Sequence, residues 1–251
     1  MPSGHDYAHL VERWQELTAR TTLQMDVLES TPEGLPIYVI LNKGTSDHPI
    51  YLSAGVHGDE CAPVWGLLEW AEENAETIRE IPLVIFPCLN PGGLIENTRC
   101  DLSGNDLNRN FTNRSIKWVA AWLDLVSGQQ FSRCLHLHED YDSVGNYVYE
   151  LSDRPGLGRR MLEACSEHIE IDTRSEIDGY PFDRGLLVQN KGDVRQEATS
   201  ENLGGVEPYY LFLNQTDLAI TFESPSEFDL HVRIKAHKTA TETFINDWKQ
   251  H

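Results

Sequence analysis

His57 and Glu60 are the residues best placed to do chemistry. The run before them, Ile50-Tyr51-Leu52-Ser53-Ala54-Gly55-Val56, reads as a buried strand. The run after them, Pro63-Val64-Trp65-Gly66-Leu67-Leu68-Glu69-Trp70, reads as a helix. A histidine and a glutamate spaced in this way at the end of a strand can turn onto one point. An imidazole nitrogen and a carboxylate oxygen suit Zn²⁺ at about 2.0–2.2 Å. Two protein groups are not a site. A catalytic zinc takes a third ligand, keeps one position open and needs a base beside it.

Cys134-Leu135-His136-Leu137-His138-Glu139-Asp140 offers the third ligand. Alternation along a strand puts both histidines on one face and the leucines on the other. His138 closes the strand and is the candidate ligand. His136 is one step deeper and reads as core or as support. Glu139 and Asp140 add two further oxygen donors. Glu223 is the candidate base, since it follows the apolar strand Leu218-Ala219-Ile220-Thr221-Phe222 and precedes Ser224-Pro225. A charge there faces either solvent or a site. The segment Asn105-Asp106-Leu107-Asn108-Arg109-Asn110-Phe111 is the other chemical cluster. Arg109 beside Asn108 can clamp a carboxylate, because guanidinium is a planar fork of donors. Arg99 can polarise a carbonyl and stabilise an oxyanion. Asp106 can orient a metal-bound histidine through its second ring nitrogen. Taken alone, the segment reads as a polar surface loop.

Elements must bring these residues together. Helical spacing covers residues 7–19, 63–79, 115–126, 156–169 and 229–248. Strands are predicted at 35–42, 50–56, 82–89, 134–137 and 218–222. A turn at 44–47 separates the first two strands. Asn90-Pro91-Gly92-Gly93 is expected to halt regular structure, and a polar loop to run from there to Phe111. Residues 172–207 have weak periodicity, and long irregular excursions are often functional. No repeat or linker interrupts the chain, so one catalytic domain is expected over residues 1–251. Alternating strands and helices, several strands being apolar throughout, predict an α/β fold with a sheet covered on both faces. The chemical residues follow strands, where open α/β sheets bind ligands.

The 251 residues carry a net charge of −20, which argues against nucleic acid or an anionic membrane as partner. No apolar run reaches the ~20 residues of a membrane span, and no basic-then-apolar leader is visible at the N-terminus. The five cysteines include no Cys-x-x-Cys pair and read as free thiols of a reducing, cytoplasmic compartment. Cys61 reads as a small buried residue at a helix start.

Together the residues resemble the zinc carboxypeptidase superfamily, which includes succinylglutamate desuccinylase, aspartoacylase and murein-peptide amidase branches. The resemblance is carried by His57-Gly58-Asp59-Glu60, Asn90-Pro91-Gly92-Gly93, Arg99, Gly104 to Phe111, His138 and Glu223, in the family's order. It implies one zinc per chain on His57, Glu60 and His138. It implies Glu223 as general base and acid, Arg99 at the oxyanion, Asn108 and Arg109 on a terminal carboxylate, and Asp106 behind the first histidine. The implied fold is an α/β/α sandwich on a twisted mixed sheet. The family's mobile tyrosine falls to Tyr209 or Tyr210. Asp59 stands where digestive members carry arginine, a form similar to the amidase and deacylase branches, yet the Asn108-Arg109 pair of true carboxypeptidases is intact.

The implied reaction is hydrolysis of a peptide or related amide next to a free carboxylate. Rival readings are an N-acyl amino acid deacylase, a murein-peptide amidase, and a carboxylate-binding module without turnover. A serine hydrolase is not indicated, since no Gly-x-Ser-x-Gly elbow occurs.

Overall fold

The computed structural model describes residues 4–44, 46–200 and 203–250. Thr45 of the expected turn, Glu201 and Asn202 of the expected irregular stretch, and the first three residues of the N-terminal reading lie outside the described residues.

Ten strands and eight α-helices are described. The first half holds α1 (Tyr7–Thr18), β1 (Gln24–Ser30), β2 (Pro36–Asn42), β3 (Ile50–Ala54), α2 (Cys61–Glu73), β4 (Leu83–Phe86), α3 (Pro91–Glu96) and α4 (Lys117–Val126). Then come β5 (Arg133–Asp140), β6 (Tyr147–Ser152), α5 (Leu157–Cys165), β7 (Glu176–Ile177), β8 (Tyr180–Pro181) and β9 (Leu186–Gln189). The chain closes with α6 (Lys191–Ser200), α7 (Glu207–Asn214), β10 (Leu218–Pro225) and α8 (Leu230–Lys249).

Eight strands make one sheet in the order β1-β2-β4-β3-β5-β10-β6-β9. The four central strands β4, β3, β5 and β10 run parallel, while β1, β2 and β6 join antiparallel. Parallel strands are buried on both faces, and every residue of β3 and β4 is buried. Alternation decides which face each side chain serves. Leu52, Leu135 and Leu137 join the core under α1, α2, α5 and α8. Tyr51 and Cys134 join the opposite core, with Trp118 and Trp122 of α4 and Leu211 and Phe212 of α7.

This topology fixes the site. From β3 the chain goes through α2 to β4 on one side, whereas β5 lies on β3's other side. The space beyond the carboxyl ends of β3 and β5 is therefore a topological switch point, where connections diverge and leave a crevice.

The five predicted strands are present with shifted ends. Strand 134–137 is longer, because β5 continues to Asp140 through buried His138 and Glu139. The predicted helix 63–79 starts earlier, at Cys61, and stops at Glu73, with a short 3-10 turn at Ile78–Glu80. Asn90-Pro91-Gly92-Gly93 does not end regular structure: it starts α3. The Asn90 side chain accepts from Gly93 N at 2.9 Å, and proline occupies the first turn, where its missing N–H costs nothing. Residues 172–207 are also more ordered than expected, holding β7, β8, β9 and α6. Strands β1 and β6 and helix α7 lie where the sequence carries no assignment. β1 is an edge strand with mostly exposed or half-buried residues, so hydrophobic alternation does not mark it.

Candidate metal centre

The residues between β3 and α2 are held by backbone contact. Gly55 has φ +64°, a left-handed conformation that turns the chain out of the sheet. Gly58 lies against the start of α3, where a Cβ would stand 1.9 Å from Gly93 C. A side chain at Gly58 would force the two segments apart. His57 and Glu60 are thus pinned at the crevice, and they are 3 % and 4 % exposed.

His57 Nδ1 lies 2.5 Å from Glu60 Oε1, and His138 Nδ1 lies 3.0 Å from Glu60 Oε2. The donor atoms of the three residues all fall within 4.8 Å of one another. His138, itself 3 % exposed, comes from β5. Two imidazole nitrogens and a carboxylate, desolvated and converging, are the donor set of a catalytic zinc. The residues present fit such an ion.

The electrostatics agree with the geometry. Burial alone would lower the pKa of His57, but the Glu60 carboxylate, helped by Asp106, outweighs it and pushes His57 up to about 9. His138 is likewise raised against its burial by Glu60. Burial would raise Glu60, yet the two imidazoles hold it well below the usual carboxylate range. The group therefore stabilises positive charge among its three side chains.

Asp106 Oδ1 lies 3.4 Å from His57 Nε2, on the far side of the ring from Glu60. A carboxylate there orients the ring and makes it a better ligand. Asp106 also accepts from Arg99 Nε at 3.3 Å and Nη2 at 3.2 Å. Arg99 turns Nη1 to within 3.8 Å of Glu60 Oε1, so its guanidinium borders the three-residue group. Its carbonyl accepts from Asn90 Nδ2 at 3.2 Å, which ties Arg99 to the α3 cap.

Glu223 sits on β10 directly beside His138 in the parallel register. On its other side it pairs with Tyr147 of β6. It is half-buried and faces the cleft. Burial raises its pKa well above the carboxylate range; His138 opposes this and Glu60 adds to it.

The cleft has a volume of about 990 Å³. Asn108 and Arg109 line it from the short 3-10 helix Leu107–Arg109. Asn108 is buried and its Oδ1 accepts from Glu207 N at 3.0 Å. Arg109 is exposed and donates to the Asn108 carbonyl at 2.9 Å. Tyr209 lines the cleft from α7, its hydroxyl donating to Glu197 Oε2 at 2.6 Å. Tyr210 does not line it. The next residue on a helix is rotated by ~100°, and Tyr210 packs at a tilt against Trp122 with centroids 5.4 Å apart.

The structure thus brings His57, Glu60, His138, Asp106, Arg99, Asn108, Arg109, Tyr209 and Glu223 to one crevice and leaves Tyr210 out. Glu139 is not turned to the group. It accepts from Ala62 N at 2.9 Å and from Arg233 Nη1 at 2.5 Å, and so secures the first turn of α2 behind Glu60. Tyr147 and Tyr149 line the cleft too, and sequence reasoning missed them. Their signal was the alternation Tyr147-Val148-Tyr149-Glu150-Leu151.

The succinylglutamate desuccinylase/aspartoacylase catalytic domain model matches residues 46–139. Among curated proteins, chicken (Gallus gallus) cytosolic carboxypeptidase 1 is 44% identical over 72 residues, 26% of this chain and 6% of that protein. The human protein is 43% identical over 74 residues, with the same shares. The chain thus matches only a small part of these relatives' length. Among solved structures, a proposed metallopeptidase from Shewanella denitrificans has TM-score 0.81 at 23% identity, covering 97% of this chain and 91% of that one. A metallo-carboxypeptidase from Burkholderia cenocepacia has TM-score 0.70 at 13% identity, covering 97% and 69%. At such identities these structures speak to the fold, which is the same.

Proposed function

Taking the chain as a member of the zinc carboxypeptidase-like superfamily and a hydrolase, we propose that it hydrolyses a peptide or related amide bond next to a free carboxylate, with one zinc on His57, Glu60 and His138. One observation carries the reading: both Nδ1 atoms address the two oxygens of Glu60, and Glu223 stands beside His138 across one strand pairing.

When bound, the metal supplies Lewis acidity and lowers the pKa of water toward ~7. The chain's own residues do the rest. Glu223 takes the proton of the attacking water and later gives it to the departing amine. Arg99 donates to the carbonyl oxygen as negative charge grows there. Asp106 holds His57 in place. Arg109 and the Asn108 amide hold the substrate's terminal carboxylate, and this positioning restricts attack to the adjoining bond. Tyr209 closes the same end of the cleft. The five cysteines are free, which fits a reducing, cytoplasmic setting.

The second reading is an N-acyl amino acid deacylase, favoured by the family model matched over residues 46–139. It uses the same groups on a smaller substrate. The experiment measures zinc content together with hydrolysis of free-C-terminal peptides, their amides, murein-type tripeptides and N-acyl amino acids, with and without chelator. We expect about one zinc per chain and chelator-sensitive cleavage of peptides with a free C-terminus. Faster cleavage of N-acyl amino acids selects the second reading. A protein that takes up no metal overturns both.

A further inference from the structure

Beneath the cleft lies a buried carboxylate that the reaction does not use. Glu207, the first residue of α7, is 0 % exposed. Its Oε1 accepts from Tyr51 OH, and Tyr51 OH accepts from Trp122 Nε1 at 2.9 Å. Its Oε2 accepts from Ser53 Oγ at 3.1 Å and lies 3.2 Å from His136 Nδ1. Ser53 and His136 are themselves 3.0 Å apart. Side chains from β3 and β5 thus converge on one carboxylate at the head of a helix. An apolar residue would fill this space at lower desolvation cost. A carboxylate held at both oxygens instead fixes where the helix begins.

What begins there is the carboxylate-binding end of the cleft. The Glu207 N–H donates to Asn108 Oδ1 at 3.0 Å. A backbone N–H can only donate, so it fixes the amide oxygen and leaves the Asn108 NH₂ to the cleft. Phe111 N donates to Gly205 O at 2.9 Å. A Cβ on Gly205 would stand 2.2 Å from Arg109 O, so the chain entering α7 lies directly on the clamp segment. Two residues into the helix, Tyr209 enters the cleft.

We propose that Glu207 is a positioning residue: anchored by Tyr51, Ser53 and His136, it sets the Asn108 amide and the α7 entry so that they receive the substrate's carboxylate. This rests on the function proposed above and adds the device that aims its clamp.

The test uses the zinc-loaded full chain and the substrate that wild type cleaves in the panel above. Glu207→Ala should raise KM by about tenfold, the loss of one aligned hydrogen bond, with kcat changed by less than about threefold. Glu207→Gln keeps the length and polar contacts and should bring KM back to within about threefold of wild type. In an Asn108→Ala background, Glu207→Ala should add almost nothing, since both act through one contact. A fall in kcat at constant KM, or effects that multiply in the double variant, overturns the proposal. Where Glu207→Ala does not fold, Tyr51→Phe removes one anchor and should raise KM in the same direction. Hydrogen exchange gives a readout independent of activity. In Tyr51→Phe the Glu207 and Phe111 amides should exchange faster while the central strand amides do not. Unchanged exchange at those two amides overturns the positioning. A wild type that cleaves nothing in the panel sinks the proposed function and leaves exchange to decide the anchor.

Discussion

At the scale of single residues, the roles proposed for Glu223 and Arg109 separate chemistry from binding. Glu223→Gln keeps size and position but cannot take a proton. Zinc content should hold, since the three proposed ligands are untouched, while kcat falls by about 10²–10⁴, the usual worth of a general acid–base group. Paired metal analysis and kinetics check this; a variant that keeps most of its turnover removes Glu223 from the role. Arg109 is exposed and donates to a carbonyl of its own segment, so Arg109→Ala should leave the fold intact. It should raise KM about tenfold for free-carboxylate substrates and little for their amides. Equal losses on both would refute the clamp. That these residues share one cleft was legible in the sequence, because their type and order are local information. The role of Glu139 was not. It reads as a spare metal donor until the structure shows its oxygens on Ala62 N and Arg233. Glu207 was invisible for the same reason: its partners come from β3 and β5, more than 70 residues away in the chain.

At the scale of elements, the centre depends on how closely the loop after β3 approaches α3. Gly58 touches Gly93 main chain to main chain, and Gly58 N donates to Arg99 O at 3.4 Å. Gly58→Ala places a methyl group inside that contact, where no flexible side chain can give way. The two segments must separate, taking His57 from Glu60 and Arg99 from the group. We expect a loss of about 1–3 kcal/mol in stability and weaker zinc binding, read by urea unfolding and metal titration. An unperturbed metal affinity would show that the contact does not position His57. Sequence patterning found the strands that carry the proposed site, because β3, β5 and β10 are short apolar runs with candidate chemical groups at their ends. It misread Asn90-Pro91-Gly92-Gly93, whose residues suit a turn and a capped helix start equally. It missed β6, whose alternating tyrosines line the cleft and pack on a small core with Ile177 and Phe182. The order of strands, and so the switch point between β3 and β5, is set by packing that no local pattern encodes.

At the scale of the whole molecule, the balance of charge and burial sets the response to acid. The chain carries 40 acidic and 20 basic side chains, so moderate acid relieves self-repulsion. A buried histidine works against that relief. His237 of α8 is 0 % exposed, its Nε2 is 3.0 Å from Ser224 Oγ, and burial with Arg233 nearby lowers its pKa to about 3. In the unfolded chain it titrates near 6.5. Between these values the unfolded state binds a proton that the folded state refuses, so stability rises with pH there. The contribution is complete above about pH 6.5 and is lost progressively as pH falls toward 3. A single acid-unfolding curve mixes these effects, and a difference isolates one of them. Urea unfolding at pH 7.5 and 4.5 should show wild type losing about 2–3 kcal/mol more than His237→Gln, the cost of two pH units below the unfolded pKa. Parallel losses in the two proteins would mean that His237 takes its proton in the folded state. The helix α8 that holds it behind Ser224 and Glu139 would then be open to water at the rear of the metal centre.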